Sequence, residues 1–269
     1  MPAERPTPAL SDLAAALLDA RSRHQALAPT AAWAAAVPDD EAACALAHAQ
    51  GVALGAWGAD AQPRHWKSGG PARDARLTHA PLLPAGVQAV AEGEVADLSA
   101  RPFFRPRVEA EVALRLGRPV DPATAAALTP EAAAPLVDAL AVSVEVVDSR
   151  WVAEADVPPT LQLADFQVHG ALVLGPWRPF GPWASHDWLT QAGMLQLGDE
   201  APRPFRGSHP LGGPLWGLGP WLRHLTRHGQ SVPAGTVVST GSWSGCLPVA
   251  RGTRVRLAFD GLGALTLDL

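Results

Sequence analysis

The sequence predicts an α+β chain, a small helical lead followed by a strand-rich body. Three observations predict it. Near the N-terminus Leu10, Leu13, Leu17 and Ala20 recur every three to four residues, the period of one helix face. From residue 107 the period becomes two, with Val108, Ala110, Val112, Leu114 and Leu116 opposed to Glu109, Glu111, Ala113 and Arg115. Between them, residues 58–106 are rich in Gly, Pro and Asp and read as irregular.

Each element has a local reason. Ser11 caps the first predicted helix, and Pro29 and Pro38 punctuate the chain beyond it. Asp39, Asp40 and Glu41 suit the positive end of a second helix through "AACALAHAQGVAL". The irregular stretch holds Trp66 and Lys67, and loops of that length inside compact domains are often functional. After the strand at 107–116, Thr129 and Pro130 predict a helix over "TPEAAAPLVDAL". "AVSVEVVDSRW" and "FQVHGALVLG" read as strands, and Leu215, Leu218, Leu222 and Leu225 as a helix ending on Gly229. The last 35 residues are β-like: Val255, Leu257 and Phe259 alternate before a turn at Asp260-Gly261.

Composition narrows the function. A chain of 269 residues with 48% hydrophobic content builds a sizeable core. A net charge of -5, without a basic run, speaks against nucleic acid and anionic membrane surfaces. "MPAERPTPAL" does not read as a secretory signal, and no stretch reaches the ~20 apolar residues of a spanning helix. Two cysteines give neither a disulfide framework nor metal-ligand spacing, so the expectation is a reducing, cytoplasmic setting. Lys67 is the single lysine among 21 basic residues.

The carboxylates carry the chemistry. Glu109 and Glu111 share a strand face, about 7 Å apart at Cα. Two bare carboxylates that close repel each other, and a divalent cation removes the conflict; a solvated strand face with Arg115 as counter-charge is the plain alternative. Glu145 lies in an almost continuous apolar run, where an unpaired carboxylate costs several kcal/mol. It must be neutralised, salt-bridged or ligating. Three carboxylates without a His or Cys cluster point to Mg2+ or Mn2+ rather than zinc. Asp148, Arg150 and Asp165 read as supports, and His169 as a satisfied core histidine. Lys67, in "HWKSGG", is either an exposed lysine or a proton carrier beside the ion. The turn "VVSTGSWSG" is either a plain strand-to-loop turn or a backbone cradle for a carboxylate.

The order of these motifs resembles the fumarylacetoacetate hydrolase superfamily, in particular its 2-keto-4-pentenoate hydratase and 4-oxalocrotonate decarboxylase branch. "PRVEAEVALRL", "EVVDSR", "LADFQVHGALVLG", "AGTVVSTGSWSG" and the upstream "HWKSGG" carry the likeness, over residues 10–269. The resemblance implies a mixed β-roll with a small helical N-terminal region: 1–80 the helical region and active-site loop, 81–269 the catalytic roll. It implies that Glu109, Glu111 and Glu145 ligate Mg2+ or Mn2+, that Lys67 lies at the active site, and that Thr240, Gly241 and Ser242 hold the substrate carboxylate.

The activity implied is a metal-dependent lyase of a 2-oxo acid or its dienol, in aromatic-compound catabolism. A 2-keto-4-pentenoate hydratase leads; a 4-oxalocrotonate-type decarboxylase, an acylpyruvate C–C hydrolase and a non-catalytic relative stay open. A homo-oligomer acting on a small molecule is expected. Three departures bear on substrate: Lys67 is followed by Ser68-Gly69, "THAPLLPAG" has no Asp and offers His79 as a proton relay instead, and "LADF" replaces "VADN".

Overall fold

The protein was analysed as a computed structural model that describes residues 8–153 and 156–269. A helical layer comes first: α1 (Pro8–Arg23), α2 (Ala31–Ala36) and α3 (Asp40–Ala53). Helix α1 starts three residues before Ser11. Thr30 caps α2, and Asp39 accepts from Ala42 N to cap α3. The 58–106 stretch is not irregular. It supplies β1 (His65–Gly69), β2 (Thr78–Pro81), β3 (Val87–Ala89) and β4 (Val95–Asp97). These short strands are stabilised by distant partners, so no local period announces them.

The body continues with β5 (Arg107–Leu116), α4 (Pro122–Ala127), β6 (Val137–Val147), α5 (Pro159–Ala164), β7 (His169–Leu174) and β8 (Arg178–Pro179). It closes with β9 (Ala192–Leu197), β10 (Arg203–Arg206), α6 (Leu218–Thr226), β11 (Val237–Ser239), β12 (Leu247–Pro248), β13 (Arg254–Phe259) and β14 (Gly263–Asp268). The helix expected at Thr129 is only two 3-10 turns, because Pro135 bars the α conformation just before it. The true helix there is α4, capped by Asp121. The strand expected over "FQVHGALVLG" begins only at His169, and Asp165 ends α5.

Two sheets form the roll. One runs β2-β1-β11-β5-β6-β7-β3, with β12 on β5 and β8 on β6; the other runs β10-β9-β13-β14-β4. Parallel and antiparallel pairs mix in both. Val108, Ala110, Val112 and Leu114 on β5 face Leu195, Val255, Leu257 and Phe259 of the second sheet, and this is the main core. The alternation predicted for 107–116 is therefore real, and its apolar half is the inter-sheet side. Leu13, Leu17 and Leu46 of the helical layer bury against Trp151, Leu161 and Val168 in a separate cluster.

Register then decides the other face. Glu109 lies opposite Glu145, Glu111 opposite Ser143, Ser239 opposite Ala113, and Lys67 opposite Ser239. Directly opposed residues share a face, so four strands bring three glutamates and the lysine to the side away from the main core.

Candidate metal centre and active-site cavity

One carboxylate oxygen from each of Glu109, Glu111 and Glu145 lies within 4.8 Å of the others. Glu111 and Glu145 are buried, and Glu109 is half-buried. Burial first, then repulsion by Glu145, raises the Glu109 carboxyl above its usual range. The same causes, joined by Glu109, raise Glu111 further. Burial also pushes Glu145 up, but Lys67 and His169 outweigh it, and Glu145 is held below the ordinary value.

Lys67 Nζ donates to Glu145 Oε1 at 2.5 Å and to the Gln167 carbonyl at 3.2 Å. Burial opposes its charge, yet Glu145 and Glu109 outweigh that cost and raise its pKa. It is an ammonium at neutral pH. Glu111 Oε2 accepts from the Ser239 hydroxyl and from Gly241 N at 3.1 Å. Glu145 Oε2 is buried without a hydrogen-bond partner among the described residues. An orphaned carboxylate oxygen, two neighbouring acids resisting ionisation and an all-oxygen donor set fit a divalent cation.

Lys67 and Glu109 open into a cavity of about 660 Å3 also lined by Gln167, His209, Ser242 and Cys246, with Arg76 and Arg107 on its wall. Of the 240–242 turn, Gly241 (φ 108°) spends its N–H on Glu111, and any side chain at that φ would be strained. The Thr240 hydroxyl donates to Val112 O, and its carbonyl accepts from His209 Nε2 at 2.9 Å. The Ser242 hydroxyl donates to Gly245 O. This turn positions Glu111 before it does anything for a ligand.

His79 is not brought to the carboxylates. It lies opposite Ser68 across β1 and β2, so it takes the face of Ser68 and not that of Lys67. Its Nδ1 is 2.9 Å from the Ser68 hydroxyl, and its ring sits against His224. Burial, reinforced by His224 and Arg227, lowers its pKa to about 3. A proton relay from His79 is thus corrected to a packed, neutral histidine.

The three supporting residues do different work. Asp148 accepts from Phe104 N and Arg105 N, at 2.9 and 2.8 Å, and anchors the loop before β5. Arg150 is buried and grips Asp165: its Nε donates to both carboxylate oxygens at 2.8 Å and its Nη2 to the Asp165 carbonyl at 3.0 Å. Its Nη1 donates to His169 O at 2.7 Å, and Arg21 from α1 adds a second cation on Asp165 at 2.9 Å. These contacts bracket Phe166, Gln167 and Val168, whose φ values of 53°, 50° and 54° are all left-handed. Each such residue costs about 1–2 kcal/mol, and the strained turn aims the Gln167 carbonyl at Lys67.

Sequence reasoning missed Gln167, His209 and Cys246 as cavity residues. Cys246 follows a Gly-rich turn, and its thiol is pushed up to about 12 by burial and then by Glu109. The "HPLGG" run after Ser208 was the one available signal for His209. Both of its ring nitrogens are engaged, Nε2 with Thr240 O and Nδ1 with Leu211 N at 3.1 Å.

A profile described as the fumarylacetoacetate (FAA) hydrolase C-terminal domain matches residues 58–269. Among curated proteins, 2-keto-4-pentenoate hydratase 1 of Dechloromonas aromatica (strain RCB) is 35% identical over 181 residues, 65% of this chain and 64% of the relative. A 4-oxalocrotonate decarboxylase of a Pseudomonas species is 26% identical over 180 residues, 66% of each. The chain thus spans just under two thirds of the length of the curated relatives it matches. Among solved structures, the 4-oxalocrotonate decarboxylase from Pseudomonas putida G7 complexed with magnesium and adipate superposes with a TM-score of 0.77 at 19% identity, over 97% of this chain and 96% of that one. The fumarylpyruvate hydrolase from Pseudomonas aeruginosa in complex with Mn2+ and pyruvate gives a TM-score of 0.55 at 19% identity, over 78% and 92%. At these identities the structures speak to fold alone, and the fold is the mixed β-roll with a helical N-terminal region.

Proposed function

The chain belongs to the fumarylacetoacetate hydrolase family, and from that premise we propose that it is a Mg2+- or Mn2+-dependent lyase of a 2-oxo acid or its dienol, a 2-keto-4-pentenoate hydratase. The observation that carries the reading is the convergence of three carboxylates within 4.8 Å, with Lys67 2.5 Å from one of them. Glu109, Glu111 and Glu145 would hold the cation. When bound it would supply a Lewis acid for a 2-oxo carboxylate and for the negative charge that develops on its enolate.

The chain's own residues do the rest. Lys67, kept charged by Glu145 and aimed by the Gln167 carbonyl, donates a proton from Nζ as the dienol ketonises. Once neutral, the same Nζ accepts a proton from the water that adds to the resulting enone, and solvent, which takes the dienol hydroxyl proton, returns one to C3. Ser242 lines the cavity, and its hydroxyl would turn from Gly245 O to the substrate carboxylate when one binds. Among the described residues, His169 and His79 do not line this cavity and both ring nitrogens of His209 are engaged, which supports the lyase reading over a C–C hydrolase that uses a histidine base.

The second reading is a 4-oxalocrotonate-type decarboxylase, and Arg107 and Arg76 on the cavity wall favour it by placing positive charge near a second substrate carboxylate, although Arg76 is also paired with Asp40. The proposal includes a cytoplasmic homo-oligomer; the two free thiols support the reducing setting. Assays of 2-hydroxypenta-2,4-dienoate and 2-oxohex-3-enedioate with Mg2+ or Mn2+ separate the readings. Turnover of the first supports the hydratase, and release of CO2 from the second supports the decarboxylase. If neither is consumed, both fail.

A further inference from the structure

Away from the carboxylates, residues of α3, β1 and α6 line a second cavity of about 320 Å3. Cys44, His48, His224 and His228 all border it, with Glu41 and Trp66. Among the described residues it shares none with the cavity at Lys67. Helical spacing explains the cluster. Cys44 and His48 are four apart on α3. His224 lies on α6 and His228 just past its end, where Arg227 keeps helical φ and ψ of −58° and −23°. Residues four apart share a helix face, so each segment brings two metal-ligating side chains to one cavity.

One pair of donors is already in place: Cys44 Sγ lies 3.9 Å from His224 Nε2. A tetrahedral Zn2+ at ~2.3 Å from sulfur and ~2.0 Å from nitrogen holds such atoms about 3.5 Å apart, so the pair has only a few tenths of an ångström to close. The other two histidines are held at Nε2, His48 by Ala59 O at 2.9 Å and His228 by Glu41 Oε1 at 3.2 Å. A carbonyl or a carboxylate only accepts, so Nε2 carries the proton and the neutral ring keeps its lone pair on Nδ1. Metal-binding histidines are oriented in this way. Among the described residues only the three glutamates already bring three donors within 4.8 Å of one another, so His48 and His228 must turn inward on binding. The side chain of His228, 62% exposed, has the room to do so. Charge agrees: the carboxylates of Glu41 and Asp60 and a Cys44 thiolate stand against Arg227, leaving two negative charges for a divalent cation.

We propose that this cavity is a Zn2+ site, anchored by Cys44 Sγ and His224 Nε2 and completed by Nδ1 of His48 and of His228. The thiol proton passes to solvent as the Zn–S bond forms. Thiolate and imidazole suit zinc, whereas three carboxylates suit Mg2+ or Mn2+, so the two centres select different ions. The ion would tie α3 of the helical layer to α6 of the body. It would also fix the His224 ring, which packs 5.0 Å from His79 on β2 and 6.2 Å from Trp66 on β1. The site is independent of the reaction assigned to the Lys67 cavity.

Titration of the full, reduced chain with Co2+ in excess Mg2+ tests this, because a Co2+–thiolate bond gives a charge-transfer band in the near ultraviolet and Co2+ held by carboxylates does not. The expectation is a band that saturates at one thiolate-bound Co2+ per chain and is bleached by Zn2+. Cys246, the other thiol, borders the glutamate cavity and serves as the control. The band should persist in Cys246→Ser and vanish in Cys44→Ser. His224→Gln should weaken Co2+ binding at least tenfold, as should His48→Gln or His228→Gln. Absence of the band overturns the proposal, as does a band that survives Cys44→Ser or is lost in Cys246→Ser. So does His224→Gln binding like the unmodified chain, or no weakening by either His48→Gln or His228→Gln. If Cys44→Ser does not fold, Cys246→Ser and the histidine variants decide.

Discussion

Lys67 Nζ lies 2.5 Å from Glu145 Oε1, although 78 residues separate them. The contact follows from register across β1, β11, β5 and β6, and it fixes the charge of both partners. The same lysine is a candidate proton carrier and a competitor for one arm of the metal site.

Replacing it separates those roles. Lys67→Met should cut turnover by about 10²–10⁴, the usual contribution of a positioned acid or base. It should leave Mn2+ affinity equal or higher, because a cation that shares Glu145 is gone. Parallel turnover and Mn2+ titrations decide; a matched loss of both would make Lys67 a structural prop.

Burial and the neighbouring Glu145 and Glu109 make ionisation of Glu111 costly in the metal-free protein. Glu111→Gln should therefore raise the metal-free melting temperature, by about 2–4 °C for ~1 kcal/mol in a chain of this size. It should also abolish the stabilisation that Mn2+ gives the unmodified chain by mass action. A lower melting temperature in the absence of metal would mean that Ser239 and Gly241 satisfy the charged form by themselves.

His79 links stability to pH. Its folded pKa of about 3 lies below the ordinary 6.5, so the unfolded chain binds more protons between those values. The stabilisation is complete above pH 6.5 and is lost as pH falls toward 3, at up to about 1.4 kcal/mol per unit for one group. Urea midpoints at pH 7, 6 and 5 should fall accordingly, and His79→Gln should flatten the slope. An unchanged slope would assign it to other histidines.

The turn at 166–168 is strained, and Arg150 and Asp165 hold it. Arg150→Met leaves a buried carboxylate with Arg21 as its remaining cation and should cost about 3–5 kcal/mol in chemical denaturation. Gln167→Gly keeps the carbonyl that Lys67 needs while removing the left-handed penalty. It should preserve turnover and gain about 1 kcal/mol. A loss of turnover there would show that the Gln167 side chain, not its carbonyl, matters.

Part of the molecule was readable residue by residue. The alternation in "RVEAEVALRL" gave a strand and its two faces, because strand period is local geometry. The apolar run around Glu145 marked a carboxylate that had to be neutralised, because burial of charge is costly wherever the fold puts it. Asp39 announced α3 for the same kind of reason: a cap needs only its own helix.

Pairings between distant segments set the remainder. Strand β1 exists because β11 lies beside it, so "HWKSG" reads locally as loop. His79 is one residue from the right face, and a one-residue change of register reverses every side chain. The left-handed run at 166–168 has no glycine to signal it and persists because Arg150 brackets it. Composition, strand period and the presence of three carboxylates needing a counter-charge were thus determined by the chain itself. Which face Lys67 and His79 occupy, and that three glutamates from two strands meet within 4.8 Å, were decided only by tertiary structure, because register across a sheet is a relation between segments and not a property of any one of them.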